Sequence, residues 1–236
     1  MKDMVTDLSL RRGQIITRER VRHWFRDKYP KIKEGTISCH LIRMSTNAPS
    51  RVHYSARAGE DDLFFQIDGT QFRLYEPGKD PRPISSATMP EPSDAPEESE
   101  GEKGMISEFA YERDLRNFLA KNLGIIEPGL RLYEEEGITG VEFPVGGRFV
   151  DILGVDNRKR YVVIELKVSR GYDRVVGQLL RYMSWIKRNQ AEEGQGVRGI
   201  IVAREISEDL LLACSNLVDV QLYEYELSLS LREVKL

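Results

Sequence analysis

The 236-residue chain holds only two cysteines, Cys39 and Cys214, and three histidines, His23, His40 and His53. Two thiols so far apart cannot build a disulfide framework or a four-ligand zinc site, so both are expected to be ordinary buried thiols. With every histidine in the first part of the chain, histidine acid–base catalysis is excluded from the second half. Chemistry there must use carboxylates, lysines, hydroxyls, one thiol, or a metal held by oxygens. Long apolar runs are also missing. The longest, such as Leu210–Cys214, fall far short of the roughly 20 residues that cross a bilayer. The opening MKDMVTDLSLRRG has no apolar stretch of signal-peptide type. A soluble, cytoplasmic protein with no membrane partner is expected.

What is present is ample for packing: 40% of residues are hydrophobic and 31% charged. The length suits two domains of about 100–150 residues each. Residues 81–106 are dominated by proline, serine and acidic side chains and read as an extended, solvated linker. Charge is uneven around it. Residues 1–80 carry 15 Lys and Arg against 11 Asp and Glu, and residues 81–106 carry 2 against 6. An excess of positive charge before the linker hints at a polyanionic partner.

In residues 1–80, Thr17 is a plausible N-cap for a helix through Val21, Trp24 and Phe25 to Lys28, stopped by Tyr29-Pro30. Gly35-Thr36 opens a second helix with Ile37, Leu41 and Met44 as its buried stripe. Two short strands, 63–66 and 71–75, flank the hairpin signal Asp68-Gly69. Helix, turn, helix, hairpin is the order of a winged helix-turn-helix. With its apolar stripe inward, the second helix is expected to expose Ser38, His40, Arg43 and Asn47, residue types that donate to base edges or phosphates. Arg51, His53 and Arg73 follow around the hairpin. Arg18, Arg20, Arg22 and Arg26 on the preceding helix are expected to meet phosphates. The plainer alternative is a small helical domain with solvent-facing charges used for protein contacts.

After residue 106, a helix over 107–123 leads into a glycine-punctuated strand region, 130–143. A hairpin of 149–155 and 160–168 follows, then a helix over 172–188, a strand over 197–203, a helix over 207–215 and a last strand region from 220. This order implies a mixed sheet with helices packed on it. Alternation on Tyr161-Val-Val-Ile-Glu-Leu-Lys-Val sends Val162, Ile164 and Leu166 into a core and turns Glu165 and Lys167 the other way. A three-residue turn centred on Arg158 puts Asp151 across the hairpin from Glu165. Opposed carboxylates about 5 Å apart at Cβ destabilise a sheet, and a divalent cation with hard oxygen ligands, such as Mg²⁺, would relieve them. Lys167 would orient or deprotonate water, or stabilise charge on a phosphate. An exposed pair on a solvated sheet face is the bland alternative. Against it, Glu112 borders the inward face of its helix, Glu142 approaches the same strands, and Gln178 and Tyr182 form a polar stripe on the next helix.

Asp151, then Glu165-Leu166-Lys167, then Gln178-Leu-Leu-Arg-Tyr182 resembles the PD-(D/E)XK nuclease superfamily, and within it the NucS (EndoMS) catalytic domain, over roughly residues 108–203. The resemblance implies an α/β fold: a restriction-endonuclease-like mixed sheet flanked by helices over 107–236, joined to the small winged helix-turn-helix-like α+β domain of residues 1–80. It implies that Asp151 and Glu165 ligate Mg²⁺ or Mn²⁺ with help from the Leu166 carbonyl. Lys167 would assist the attacking water, Glu112 would support the metal shell, and Gln178 and Tyr182 would position the lysine or the DNA backbone. Val150 stands where the superfamily name has proline. The amino-terminal part departs from NucS proteins, so mismatch specificity is not carried over. The expectation is a metal-dependent DNA endonuclease acting in restriction, defence or repair, as a homodimer, since cutting both strands needs two centres. A non-catalytic DNA-binding regulator with a nuclease-fold dimerisation domain, and a nuclease of RNA or branched substrates, remain open.

Overall fold

The computed structural model describes residues 1–84, 112–135, 137–167 and 173–226. The expected linker beyond Ile84, the start of the helix that follows it, Val168 and the end of the last strand lie outside these residues.

The first unit runs α1 (Lys2–Asp7), β1 (Ile16–Thr17), α2 (Arg18–Lys28), α3 (Glu34–Arg43), a 3-10 turn (Pro49–His53), β2 (Phe64–Gln66) and β3 (Gln71–Leu74). Thr17 caps α2, its hydroxyl accepting from the Arg20 N–H at 3.2 Å. Asp68 closes the β2–β3 turn by accepting from the N–H groups of Thr70 and Gln71. The helix–turn–helix–hairpin order read from the sequence is present. α1 and β1, which the pattern did not single out, complete it: β1 pairs with β3, giving the strand order β1-β3-β2. Met4, Ile16, Val21, Trp24, Ile37, Leu41, Phe64 and Phe72 fill the core between them.

The second unit comprises a helix described over 112–121 (α4), then β4 (Arg131–Leu132), β5 (Glu134–Glu135), β6 (Ile138–Thr139), β7 (Val141–Val145), β8 (Arg148–Val155), β9 (Tyr161–Lys167), α5 (Asp173–Asn189), β10 (Val197–Ala203), α6 (Glu208–Cys214) and β11 (Val220–Glu224). The main sheet has the order β11-β10-β9-β8-β4, with β7 also paired to β8. β9, β10 and β11 are parallel, whereas β7, β8 and β9 are antiparallel. The β8–β9 register is the one the turn arithmetic predicts, with Ile152 opposite Ile164 and Val155 opposite Tyr161.

The sheet buries both faces. Val162, Ile164 and Leu166 pack with Leu115, Leu119 and Ala120 of α4. Leu153, Tyr161 and Val163 pack on the opposite side with Val175, Leu179, Tyr182 and Ile186 of α5, an i, i+4, i+7, i+11 stripe. Both cysteines lie in this second cluster.

That cluster is not closed by the second unit alone. Cys39 and Ile42 of α3, with Ala48 and Tyr54, join it beside Tyr133, Ile138 and Phe143. α3 therefore serves two cores, Ile37 and Leu41 facing its own unit and Cys39 and Ile42 facing the sheet. The solvent-facing second helix expected from the sequence is corrected here, because the apolar residues off its main stripe are covered by β6 and β7. Gly35 lies in the closest approach: an added Cβ would fall on the buried Gln190 side-chain oxygen and within 3.0 Å of the Phe143 ring.

In an open helix Gly→Ala gains up to about 1 kcal/mol. Gly35→Ala is expected to do the reverse, because overpacking a closed interface costs about 1–3 kcal/mol. Denaturant unfolding of the full chain reads the sign, and a more stable variant would mean that α3 is not seated against β7.

Candidate active site

Asp151 and Glu165 sit where the β8–β9 ladder ends. Pairing is continuous up to Ile152–Ile164, and the next register position would place the two carboxylates together. There the side chain of Asp151 replaces the ladder: its Oδ2 accepts from the Leu166 N–H at 2.9 Å. Glu165 is 1% exposed. Its Oε2 accepts from Gln178 Nε2 of α5 at 2.8 Å, while its Oε1 is buried without a hydrogen-bond partner. Tyr182 lies one turn further along α5, where Gln178 and Glu165 both act on its hydroxyl. Lys167 is half-buried next along β9 and Glu112 half-buried on α4; both act electrostatically on Glu165. The structure thus gathers Asp151, Glu165, Leu166, Lys167, Gln178, Tyr182 and Glu112 at one end of the sheet.

Burial, and then the neighbouring Asp151, push the Glu165 carboxyl up to about 8. Burial also raises Asp151, against the opposing pull of the Leu166 N–H and the Lys167 charge. A third buried carboxylate shows that burial alone does not decide this. Asp156, at the other end of the hairpin, is also sequestered, yet hydrogen bonds from Arg160 and Arg198 outweigh desolvation and hold it below the ordinary value. Glu165 lacks such cationic donors, and its free oxygen beside a second carboxylate suits a hard cation. Among the described residues no group of three or more His, Cys, Asp and Glu gathers to hold an ion. The donor set is two carboxylates with a backbone carbonyl nearby, which fits an ion that keeps most of its waters.

Arg116, which the sequence reading did not single out, borders the site together with Glu142, which it did. Arg116 of α4 pairs with Glu142 of β7 at 2.8 Å, and both charges act on Asp151. The i, i+4 spacing of Glu112 and Arg116 is the signal that would have flagged the arginine.

The seven side chains expected to meet nucleic acid do not share an exposed face. Ser38 is buried and His40 half-buried. Arg43 donates to Asp61, Arg51 pairs with Asp62, and Arg73 pairs with Asp80. Asn47 exchanges two hydrogen bonds with the Gln66 backbone. His53 faces Glu142 at 3.5 Å across the junction. Their exposure is corrected: the three arginines find carboxylates within their own unit and Asn47 a strand edge, so internal partners are satisfied before solvent.

Asp151, Glu165 and Lys167 thus stand where two strands part, in a mixed sheet with helices on both faces, and the sequence of this second unit is similar to that of NucS endonucleases. Residues 111–222 match the family model of the endonuclease NucS C-terminal domain, and residues 1–74 match a domain of unknown function, DUF7669. Endonuclease NucS of Methanopyrus kandleri is 32% identical over 112 residues, 48% of this chain and 40% of the relative. That of Pyrococcus abyssi is 35% identical over 98 residues, 41% of this chain and 35% of the relative. The chain thus spans well under half the length of these curated relatives. A solved repair endonuclease from Pyrococcus abyssi superposes with a TM-score of 0.39 at 28% identity, covering 57% of this chain and 50% of that one.

The raised Glu165 carboxyl has a signed consequence for the metal-free protein. Its proton is held more tightly in the folded state, so its contribution to stability is fully present below the unfolded value of 4.5 and is lost as pH rises through about 8. Thermal melts in chelator are expected to show Glu165→Gln gaining on the wild type across that window. A pH-independent difference between the two would contradict the assignment.

Proposed function

We propose that the chain is a metal-dependent endonuclease that hydrolyses DNA phosphodiesters, with DNA repair, restriction or defence as its setting. The observation that carries this reading is the orphaned Oε1 of Glu165 beside Asp151, within a domain whose curated relatives are named endonucleases. Asp151, Glu165 and the Leu166 carbonyl would hold Mg²⁺ or Mn²⁺, which when bound supplies Lewis acidity toward a phosphate and its attacking water.

The remaining roles fall to this chain's own groups. Lys167 orients the water that attacks phosphorus in line and offsets the negative charge that builds on the phosphate oxygens. Gln178 fixes the rotamer of Glu165, and Tyr182 fixes Gln178. Glu112 completes the acidic rim. With α3 occupied by the sheet, phosphate contacts pass to the outer side of α2. Arg20, His23 and Arg26 are exposed there, beside Arg22 and a shallow concavity of about 480 Å³. Cleavage of both strands calls for two such centres, hence a homodimer.

The lack of a three-residue ligand cluster among the described residues favours a second reading, a DNA-binding regulator that keeps the nuclease fold for dimerisation. Calorimetric titration with Mn²⁺ separates the two, since only the enzyme binds above background. In cleavage assays on plasmid, linear, mismatched, branched and single-stranded substrates, Asp151→Ala and Lys167→Ala are expected to abolish cutting while DNA affinity stays within a few-fold. If Asp151→Ala cuts as well as the wild type, the proposal fails.

A further inference from the structure

We propose that Glu142 is a positioning residue through which the docked first unit keeps Asp151 in working order. The inference rests on the nuclease reading above and adds that the two units form one active site rather than a cutter with a tethered reader.

Glu142 lies in the middle of β7, yet its φ is +47°, a left-handed conformation that residues other than glycine rarely adopt. The ladder pairs on either side, Val141–Ile152 and Phe143–Val150, are intact, so the irregular residue is the one facing Asp151. Its side chain is held from three directions. Arg116 Nη2 of α4 lies 2.8 Å from Oε1. The Ser50 hydroxyl donates to Oε2 at 2.6 Å, and His53 Nε2 lies 3.5 Å from the same oxygen. Its backbone carbonyl accepts from the Tyr54 hydroxyl at 3.4 Å. Ser50, His53 and Tyr54 all belong to the 3-10 turn of the first unit and its exit. The same junction is fastened from the other side, where Thr139 donates to the His53 carbonyl at 3.1 Å.

Within β7, Glu142 is held at its backbone carbonyl and at Oε2 by the first unit. The partners that fix it come from about 90 residues upstream. If Ser50 lets go, Glu142 relaxes and Arg116 loses its counter-charge. Arg116 is itself nearly buried, with Nε lacking a partner, and it already acts on Asp151. Released, it pairs with Asp151 and occupies an oxygen that an ion would need. Docking of the first unit therefore sets the affinity of the carboxylate pair for a divalent cation.

The test uses both units in one chain, residues 1–236, and two readouts, Mn²⁺ affinity by calorimetry and cleavage kinetics. Ser50→Ala and Glu142→Gln are expected to weaken Mn²⁺ binding by about tenfold and to lower kcat, with KM for DNA unchanged. Ser50→Thr, which keeps the hydroxyl, restores both. The Ser50 pair carries the test if Glu142→Gln does not fold. Wild-type Mn²⁺ affinity and kcat in Ser50→Ala would overturn the proposal, as would a loss that Ser50→Thr fails to restore. If the wild-type chain itself binds no Mn²⁺, the nuclease reading falls first, an outcome distinct from the other two.

Discussion

The second unit is organised around one unresolved electrostatic tension. At the end of a β-hairpin Glu165 is taken out of water beside the half-buried Asp151, and one Glu165 oxygen is left with nothing to bond. A buried polar atom without a partner costs about 1–3 kcal/mol, more for a charged group. The hairpin shows that the fold is able to satisfy such a group, because Asp156 at its opposite end is surrounded by N–H donors from Arg158, Arg160 and Arg198. Strands β9 and β10 make the tension persist. Their apolar faces are buried on both sides, so Glu165 cannot turn out to solvent without carrying Ile164 and Leu166 with it.

Much of this end of the molecule was legible in the sequence, and for a physical reason. A side chain's face in a strand follows from parity, and its opposite number follows from the length of the turn. Counting across Asn157–Lys159 was therefore enough to bring Asp151 to Glu165. The stripe of α5 was equally readable, since an apolar period of 3.6 residues fixes which way Gln178 points. The class of the fold followed from the order of these elements.

The first unit was legible only as a list of elements. The helix period of α3 identified Ile37 and Leu41 as buried, but it is silent on what covers the rest of the helix. Cys39 and Ile42 were compatible with a minor apolar edge, and they turned out to meet β6 and β7. Polar residues misled for the same reason. Ser38, Arg51 and Asn47 have the chemistry of nucleic-acid readers, and that chemistry also suits internal carboxylates and free backbone groups. Glu142 gave no local sign of its conformation, because a left-handed residue in a strand is normally marked by glycine or asparagine. Contacts spanning some 90 residues fixed it instead.

The shared hydrophobic cluster also bears on how such a chain can be rearranged. Domains joined only through a linker can be exchanged like beads, whereas here Tyr133, Ile138 and Phe143 are roofed by residues of the amino-terminal unit. A chimera that grafts another recognition module onto residues 112–226 would inherit an uncovered apolar floor, prone to self-association. Any replacement module would have to reproduce the small residue at Gly35 and the hydroxyl of Ser50 at the same places on its surface. Recombination among relatives of this chain is thereby restricted to partners that bring their own matching roof.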